Sequence, residues 1–422
     1  MADTIKSIYN KLDEERSTIV DKAVECAELT IPSVLTDTDH KEDDDLTTPY
    51  QSLGSRAVNN LASKLLLALL PPNSPFFRFV PDRIALMEAE EREPGITNRI
   101  RETLTDYENS LASVVEREGI RIQAFHMFKL LIISGNALVF KQKDKGIKVY
   151  DLTQYVVKRD GSGKVIEIIV KEMIHRTSLP ESVQSQLDND DNYKSFDLYT
   201  KISLNDEGKY EVSQEVEEIE IIESAGVYTE DNLPWMVLRW TSVSNENYGR
   251  GLVEQYIGDL RSLEGLTQAI VEGAAASSKV LFMVNTMGTT KAKDLANASN
   301  GAIIQGNAND VTTLQVQKAH DMTIAYNVQN DIQRRLSAAF LMTESARRDS
   351  ERTTAYEIQV MASELEDALG GIYSILSLSQ RFLRLFLEKP YFLETGLFLT
   401  SKRHLIFALM SFCRKVSIET PS

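Results

Sequence analysis

Four stretches carry residue types at spacings that could do chemistry. Asp160 to Lys164 reads DGSGK, the ending of a phosphate-cradling loop, whose lysine must be followed by a hydroxyl that holds magnesium. Here Lys158 stands where such a loop needs its first glycine, and Val165 replaces the hydroxyl. The stretch predicts a hairpin turn. Asp188 to Asn192 reads DNDDN, with oxygen ligands at alternate positions. A calcium loop would then need glycine and a bidentate glutamate, where this chain has Tyr193 and Tyr199, so a solvated loop is expected. Tyr248-Gly249-Arg250-Gly251 lacks the third glycine of a dinucleotide fingerprint and predicts a tight turn ahead of a helix. Finally, Arg347, Arg348 and Arg352 crowd into six residues, the side chains that would meet phosphate. From Glu344 to Arg352 they are matched by Glu344, Asp349 and Glu351, so this segment is neutral and zwitterionic.

No catalytic, cofactor-binding or metal-ligating residue emerges from this search. The five histidines (His40, His126, His175, His320, His404) are scattered, with no HExxH helix and no GxSxG elbow. A soluble enzyme whose site assembles from distant positions remains the alternative from another class. Cys26 and Cys413 form no CxxC pair, which supports neither a disulfide framework nor a zinc ribbon and fits a reducing compartment. The formal net charge of -16 argues against a whole surface that neutralises phosphates.

The elements that must position these residues follow from hydrophobic periodicity. The N-terminus has charges where a signal peptide needs an apolar run. It predicts an amphipathic helix with Ile5, Ile8, Tyr9 and Leu12 on one side, and a chain that is not exported. Leu53, Ala57, Leu61, Leu65 and Ala68 make a second helical stripe, ended by Pro71-Pro72 before its apolar run can span a bilayer. A long helix is expected from about Asn98 to Ile133, broken by Gly135-Asn136. From Ala137 the period becomes that of strands (ALVFKQ, IKVYDL, YVVKR, KVIEIIVKEMI, FDLYTKISL, KYEVSQEV, PWMVLRWTSV), an antiparallel unit. Residues Tyr248 to Ser278 then place Val253, Tyr256, Leu260, Leu263, Leu266, Ile270 and Ala274 on one stripe, a rod of roughly 46 Å. An insert of strands at KVLFMVN, AIIQ and VTTLQV and a short helix near Thr290 to Ala298 follows. Helix resumes at His320 to Leu341, and another helix starts near Arg352.

Three quoted stretches carry a resemblance. SLGSRAVNNLASKLLLALLPPNSPFFRF, PWMVLRWTSVSNENYGRGLVEQYIGDLRSLE and SARRDSERTTAYEIQVMASELEDALGGIYSILS resemble the head-to-tail connector, or portal protein, of short-tailed phages of the podovirus type, in order from roughly residue 5 to 380. The resemblance implies an α+β, mainly helical subunit of a ring, twelve copies in the family, at one capsid vertex of the virion. Its parts would be a wing (1–247), a stem helix (248–278), a clip (279–318), a second stem helix (319–341), a tunnel loop (342–351), a returning wing helix (352–380) and a crown. The implied role is a channel for DNA packaging and ejection, without catalysis or cofactor. Implied partners are double-stranded DNA, the packaging terminase, the tail adaptor, capsid and scaffolding protein, and internal core proteins. Carried onto this chain, Arg347, Arg348 and Arg352 belong to the tunnel loop, Tyr248, Gly249 and Gly251 to the stem turn, and Lys291 and Lys293 to a clip docking surface of net charge +2. Another ring-forming assembly or scaffold protein built on long helices is the remaining alternative.

The likeness ends near Gln380. Residues 381–422 hold seven basic residues against three acidic ones, so +4 against -20 for the rest, and they are rich in Phe and Leu. Two expectations follow: a crown altered by a shifted reading frame or by truncation, or a basic amphipathic segment that meets DNA or a membrane surface.

Overall fold

The computed structural model describes residues 4–342, apart from short stretches at 38–40, 42, 73–77, 81–82, 93, 143–145, 188–194, 278–280, 300–301 and 315–318, with residue 363 and Ser417–Glu419. The aspartate-rich stretch 188–192, residues 343–351 with Arg347 and Arg348, the expected returning helix 352–380 with Arg352 (residue 363 apart), and most of the tail 381–422 lie outside the described residues.

Helix α1 (Ile5–Glu28) is capped by the Thr4 hydroxyl, which accepts from Ser7 N, and by the Glu215 carboxylate, which accepts from Ile5 N at 2.9 Å. A carboxylate there satisfies orphan amides and meets the positive end of the helix dipole. Its first half buries Tyr9 and Leu12 against Val156, Ile169 and Tyr199, and its second half sends Val20, Ala23, Cys26 and Ala27 into the main core. Helix α2 (Leu53–Leu69) buries the stripe Leu53, Ala57, Leu61 and Leu65. Strand β1 (Arg78–Val80) and helices α3 (Arg83–Arg92), α4 (Ile96–Arg117) and α5 (Ile120–Ser134) follow. The helix expected without interruption from Asn98 to Ile133 is two helices. Glu118 leaves the helical region and Gly119 adopts φ +64, a left-handed conformation that glycine takes without a Cβ penalty. The break frees α5 to turn into the middle of the molecule. There it is apolar nearly all round, packed by α1 and α2.

Strands β2 (Asn136–Lys141), β3 (Ile147–Tyr150), β4 (Tyr155–Arg159) and β5 (Val165–His175) come next, then the one-turn helix α6 (Glu181–Gln184). They are followed by β6 (Ser195–Leu204), β7 (Tyr210–Val216), β8 (Ile219–Glu220), β9 (Gly226–Tyr228), β10 (Trp235–Arg239), β11 (Thr241–Ser242) and β12 (Gly249–Arg250). Two antiparallel sheets result, one ordered β4-β5-β6-β7-β8 with β9 also on β7, the other β10-β2-β3, while β11 pairs β12. The DGSGK stretch is the β4–β5 turn: Asp160 Oδ1 accepts from Ser162 N at 2.9 Å and Lys164 N at 2.8 Å. An aspartate that folds its own turn in this way is a local structural device.

The rod expected from Tyr248 to Ser278 is also interrupted. Strand β12 occupies its start, helix α7 (Leu252–Gln255) ends at Tyr256, whose φ of -112° and ψ of 13° leave the helical region, and α8 (Ile257–Ser277) continues. At 21 residues α8 is about 31 Å long rather than 46 Å. The interruption puts the Tyr256 ring 5.8 Å from Phe340, which is buried. Strand β13 (Leu281–Val284), helix α9 (Ala292–Ala296), strand β14 (Val311–Leu314) and helix α10 (Ala319–Ala339) complete the sequence of elements, with β15 (Ser417–Glu419) on β1. The AIIQ stretch forms no strand: residues 302–305 are irregular and exposed, and among the described residues β13 and β14 pair only with each other. Among the described residues, no helix is long and apolar enough to cross a membrane.

Candidate functional site

Antiparallel α8 and α10 pack side by side and carry the β13–α9–β14 insert at their far end. The candidate site is this hairpin with the joint that holds its base.

The joint is built from residues 247–251. Gly249 and Gly251 cross the end of α5 so closely that a Cβ on Gly249 would stand 2.7 Å from Gly135 O and 2.8 Å from Arg239 Cβ, and one on Gly251 would strike the carbonyls of Ile132 and Ile133. Buried Asn136 secures the crossing: its Oδ1 accepts from Gly249 N at 2.7 Å and its Nδ2 donates to Gly249 O at 2.9 Å. One amide side chain thereby pairs both backbone groups of a residue, as a neighbouring strand would. Tyr248 is buried, and its hydroxyl accepts from Val157 N at 3.0 Å. Burial raises its pKa, so the phenol stays neutral. Asn247 Oδ1 accepts from Arg159 N at 2.8 Å, and its carbonyl accepts from Arg159 Nε. Burial, and then the Arg239 charge, lower the Arg159 pKa to about 10. Arg250 bridges Glu246 at 3.0 Å and Glu254 at 3.1 Å, an arrangement that ties the turn to the first turn of α7.

Beneath Tyr248 lies Arg16, only 1% exposed, its guanidinium 5.9 Å from the tyrosine ring centre. It donates to the carbonyls of Leu152, Tyr155 (2.5 Å) and Thr153 (3.3 Å) and pairs with Asp13. A buried charge with this many acceptors aimed at it is held for geometry, since desolvation would otherwise expel it.

Between the helices, Gln329 donates to the Thr267 hydroxyl at 2.9 Å and Arg335 pairs with Asp259 at 3.0 Å. The C-terminus of α10 is closed by Met342 N donating to Ser337 O and Leu341 N to Ala338 O, with Leu341 at φ +53. Such a left-handed cap normally falls to glycine. Asn60 holds it from α2 by donating to the carbonyls of Phe340 (3.1 Å) and Leu341 (3.2 Å), and Lys64 Nζ donates to Leu341 O at 2.9 Å.

In the insert, the Asp310 carboxylate gathers Thr289 N at 2.8 Å, Thr290 N at 3.2 Å and both threonine hydroxyls. Burial opposes its charge, but these hydrogen bonds prevail and hold its carboxyl below the usual range. Lys291 and Lys293 are exposed at the start of α9. The structure thus brings Tyr248, Gly249 and Gly251 into one joint and puts Lys291 and Lys293 at the opposite end of the hairpin. Sequence reasoning missed Asn136, Arg16, Asn60 and Lys64. Arg16 was detectable, since it interrupts the apolar stripe Leu12, Val20, Ala23, Ala27 on the buried side of α1.

Among the described residues no group of three or more His, Cys, Asp or Glu could hold a metal ion. Most of the joint's polar groups bond one another, while buried Arg159 Nη2, Tyr155 OH and Trp240 Nε1 have no hydrogen-bond partner among the described residues. Comparison with known proteins identifies the family. The family model for the bacteriophage head to tail connecting protein matches residues 2–383. The portal protein of Enterobacteria phage T3 is 38% identical over 386 residues, 89% of this chain and 71% of its own length. That of Escherichia phage T7 is 36% identical over 389 residues, covering 89% and 72%. That of Enterobacteria phage SP6 is 30% identical over 388 residues, covering 89% and 74%. The chain belongs to the bacteriophage head-to-tail connecting protein family, the portal proteins of short-tailed phages.

Proposed function

We propose that this portal-family chain is one subunit of a ring, twelve copies by family analogy, which forms the channel at one capsid vertex through which double-stranded DNA enters during packaging and leaves during ejection. One observation carries the reading. Among the described residues, no apolar side chain between Leu263 and Ile332 is buried, although Val271, Ile324, Tyr326 and Val328 stand on the two helices about half exposed. Met322, Ala325, Gln329, Ile332 and Leu336 form the face of α10 turned toward its neighbours. At 100° per residue, Ile324 and Val328 lie roughly 100° to one side of that face and Tyr326 about 80° to the other. Different apolar patches on opposite flanks fit a head-to-tail contact that closes into a ring, whereas a two-fold dimer uses one patch against itself.

In this reading α8 and α10 are the stem, residues 279–318 the clip, and residues 342–351 the tunnel loop. The zwitterionic cluster around Arg347, Arg348 and Arg352 meets phosphates at the channel wall without holding them. Each neutralised phosphate adds affinity, so a wall of mixed charge lets DNA slide. The clip would receive the packaging terminase and later the tail adaptor, and the wing would face capsid, scaffolding and internal core proteins. The chain would do no chemistry of its own.

Negative-stain microscopy of the purified protein tests this. Rings with a central hole are expected, and uniformly monomeric particles across a range of salt would overturn the reading. Replacing Arg347 and Arg348 together by alanine is expected to leave rings intact and to reduce packaged DNA. Unchanged packaging would remove their role.

A further inference from the structure

Helix α10 stops where its sequence gives no instruction to stop. From Ser337 to Leu369 the chain has neither glycine nor proline, the residues that punctuate helix ends. Met342 to Arg348 reads MTESARR, in which Met, Glu, Ala and Arg are good helix formers. The helix nevertheless ends at Ala339, and the chain closes a complete Schellman motif: Met342 N donates to Ser337 O at 2.8 Å and Leu341 N to Ala338 O at 3.1 Å. The residue that turns left-handed is Leu341, at φ +53. A Cβ disfavours that conformation, which is why glycine usually takes the position. A stop without its glycine must be held from outside.

Two side chains of α2 hold it. Asn60 Nδ2 donates to Phe340 O at 3.1 Å and to Leu341 O at 3.2 Å, and Lys64 Nζ donates to Leu341 O at 2.9 Å. A continuing helix would need these same two carbonyls as acceptors for the amides of Glu344 and Ser345, four residues on. The latch therefore competes with the next helical turn. Its donors stand four residues apart on one side of α2, and their neighbours Leu61 and Leu65 are fully buried, which fixes α2 in the core. Lys64 is only 8% exposed, and its charge meets the negative end of α10. Phe340, 1% exposed, anchors the residue before the turn.

We propose that Asn60 and Lys64 are positioning residues for the arginine segment: by taking the carbonyls of Phe340 and Leu341 they end α10 and set the point from which the chain departs toward Arg347, Arg348 and Arg352. The proposal rests on the reading of residues 342–351 as the tunnel loop. Without the latch, the unstrained course for Leu341 is to continue the helix. At about 1.5 Å per residue, that course would carry Arg347 and Arg348 roughly 10 to 12 Å beyond Phe340 along the α10 axis, instead of away from it at the turn. The start of the loop is thereby referred to the core through α2, and not to the hairpin alone.

The test is hydrogen exchange read by mass spectrometry on the full-length chain, with parent and variants compared in the same assembly state. Asn60→Leu with Lys64→Met keeps the side-chain volume and removes the three hydrogen bonds. The expected result is slower exchange of the amides of residues 343–348, by about tenfold, the factor that corresponds to relieving one left-handed residue that carries a Cβ. Unchanged or faster exchange there overturns the proposal, since a contact that merely braces the helix end would leave it to fray. Adding Leu341→Gly is expected to return exchange to the parent rate, because glycine ends the helix without a latch. A change that glycine does not rescue arises from packing and overturns the proposal too. If the double variant does not fold, Asn60→Leu alone must shift exchange in the same direction. Packaging separates the latch from the reading it rests on: slowed and rescued exchange in rings that package normally keeps the latch and fails the tunnel-loop reading, whereas reduced packaging restored by Leu341→Gly supports both.

Discussion

Helices α5 and α8 are both rich in apolar residues, yet they differ in what covers them. On α5, Ala124, Met127, Phe128, Leu130, Leu131, Ile132 and Ile133 are all buried within the chain. On α8, Ile257, Leu260 and Leu263 are buried, and beyond them no described apolar side chain is, Val271 being about half exposed. One helix is enclosed by its own fold and the other leaves it after two turns. Apolar content thus marks surface to be covered, and only the path of the backbone decides whether this chain supplies the cover.

The contrast can be broken most sharply in the core. Leu131→Ala is expected to cost about 3 kcal/mol, read by urea unfolding at dilutions where subunits are separate, because α5 is packed on several sides. Val328→Ala on the hairpin should change that stability by no more than about 0.5 kcal/mol and instead weaken ring assembly. Equal costs at the two sites would end the distinction.

At the joint between the two regions the effect is intermediate. Gly251→Ala forces a methyl group into the carbonyls at the end of α5, with an expected loss of about 2 kcal/mol. Asn136→Ala orphans the backbone groups of Gly249 for a similar cost. Both losses should appear as early exchange of amide hydrogens in α7 and the base of α8. Uniform destabilisation of the whole chain would show instead that hairpin and core melt as one unit.

The smallest effect belongs to the insert. Asp310 has its carboxyl held below the ordinary value of 3.8, so its contribution is present above that value and is lost as pH falls through the lower folded-state value. Amide protection at Thr289 and Thr290 should therefore fall only in strongly acidic solution, and Asp310→Asn should lower it at neutral pH. Protection that already falls near neutrality would point to another group.

Much of this division was legible from residue spacing. The stripes of α1 and α2 and the antiparallel strand unit follow from period and punctuation, since each buries one face against this same chain, and the place of the insert follows from the turn signals between two helical patterns. The helix breaks were not legible. Gly119 sits inside a helical pattern, where one glycine is tolerated, and only the packing of α5 decides that the chain turns there. Tyr256 belongs to the same apolar stripe as Leu260, and where it leaves the helix its ring meets Phe340, far away in sequence. Tyr248, Gly249 and Gly251 were recognisable as a turn, but their partners Asn136 and Arg16 came from segments whose only visible signals were a Gly-Asn break and a charge in an apolar stripe. AIIQ has the composition of a strand, and the described chain supplies it no partner.

The capping of α1 by Glu215 has a consequence in time. The two partners are separated by 210 residues, and Arg16 likewise waits for carbonyls more than a hundred residues downstream. At roughly 5 to 20 residues per second of synthesis, the Glu215 interval alone is on the order of 10 to 40 s. Helix α1 thus cannot complete these contacts until the sheet that closes over it has been made.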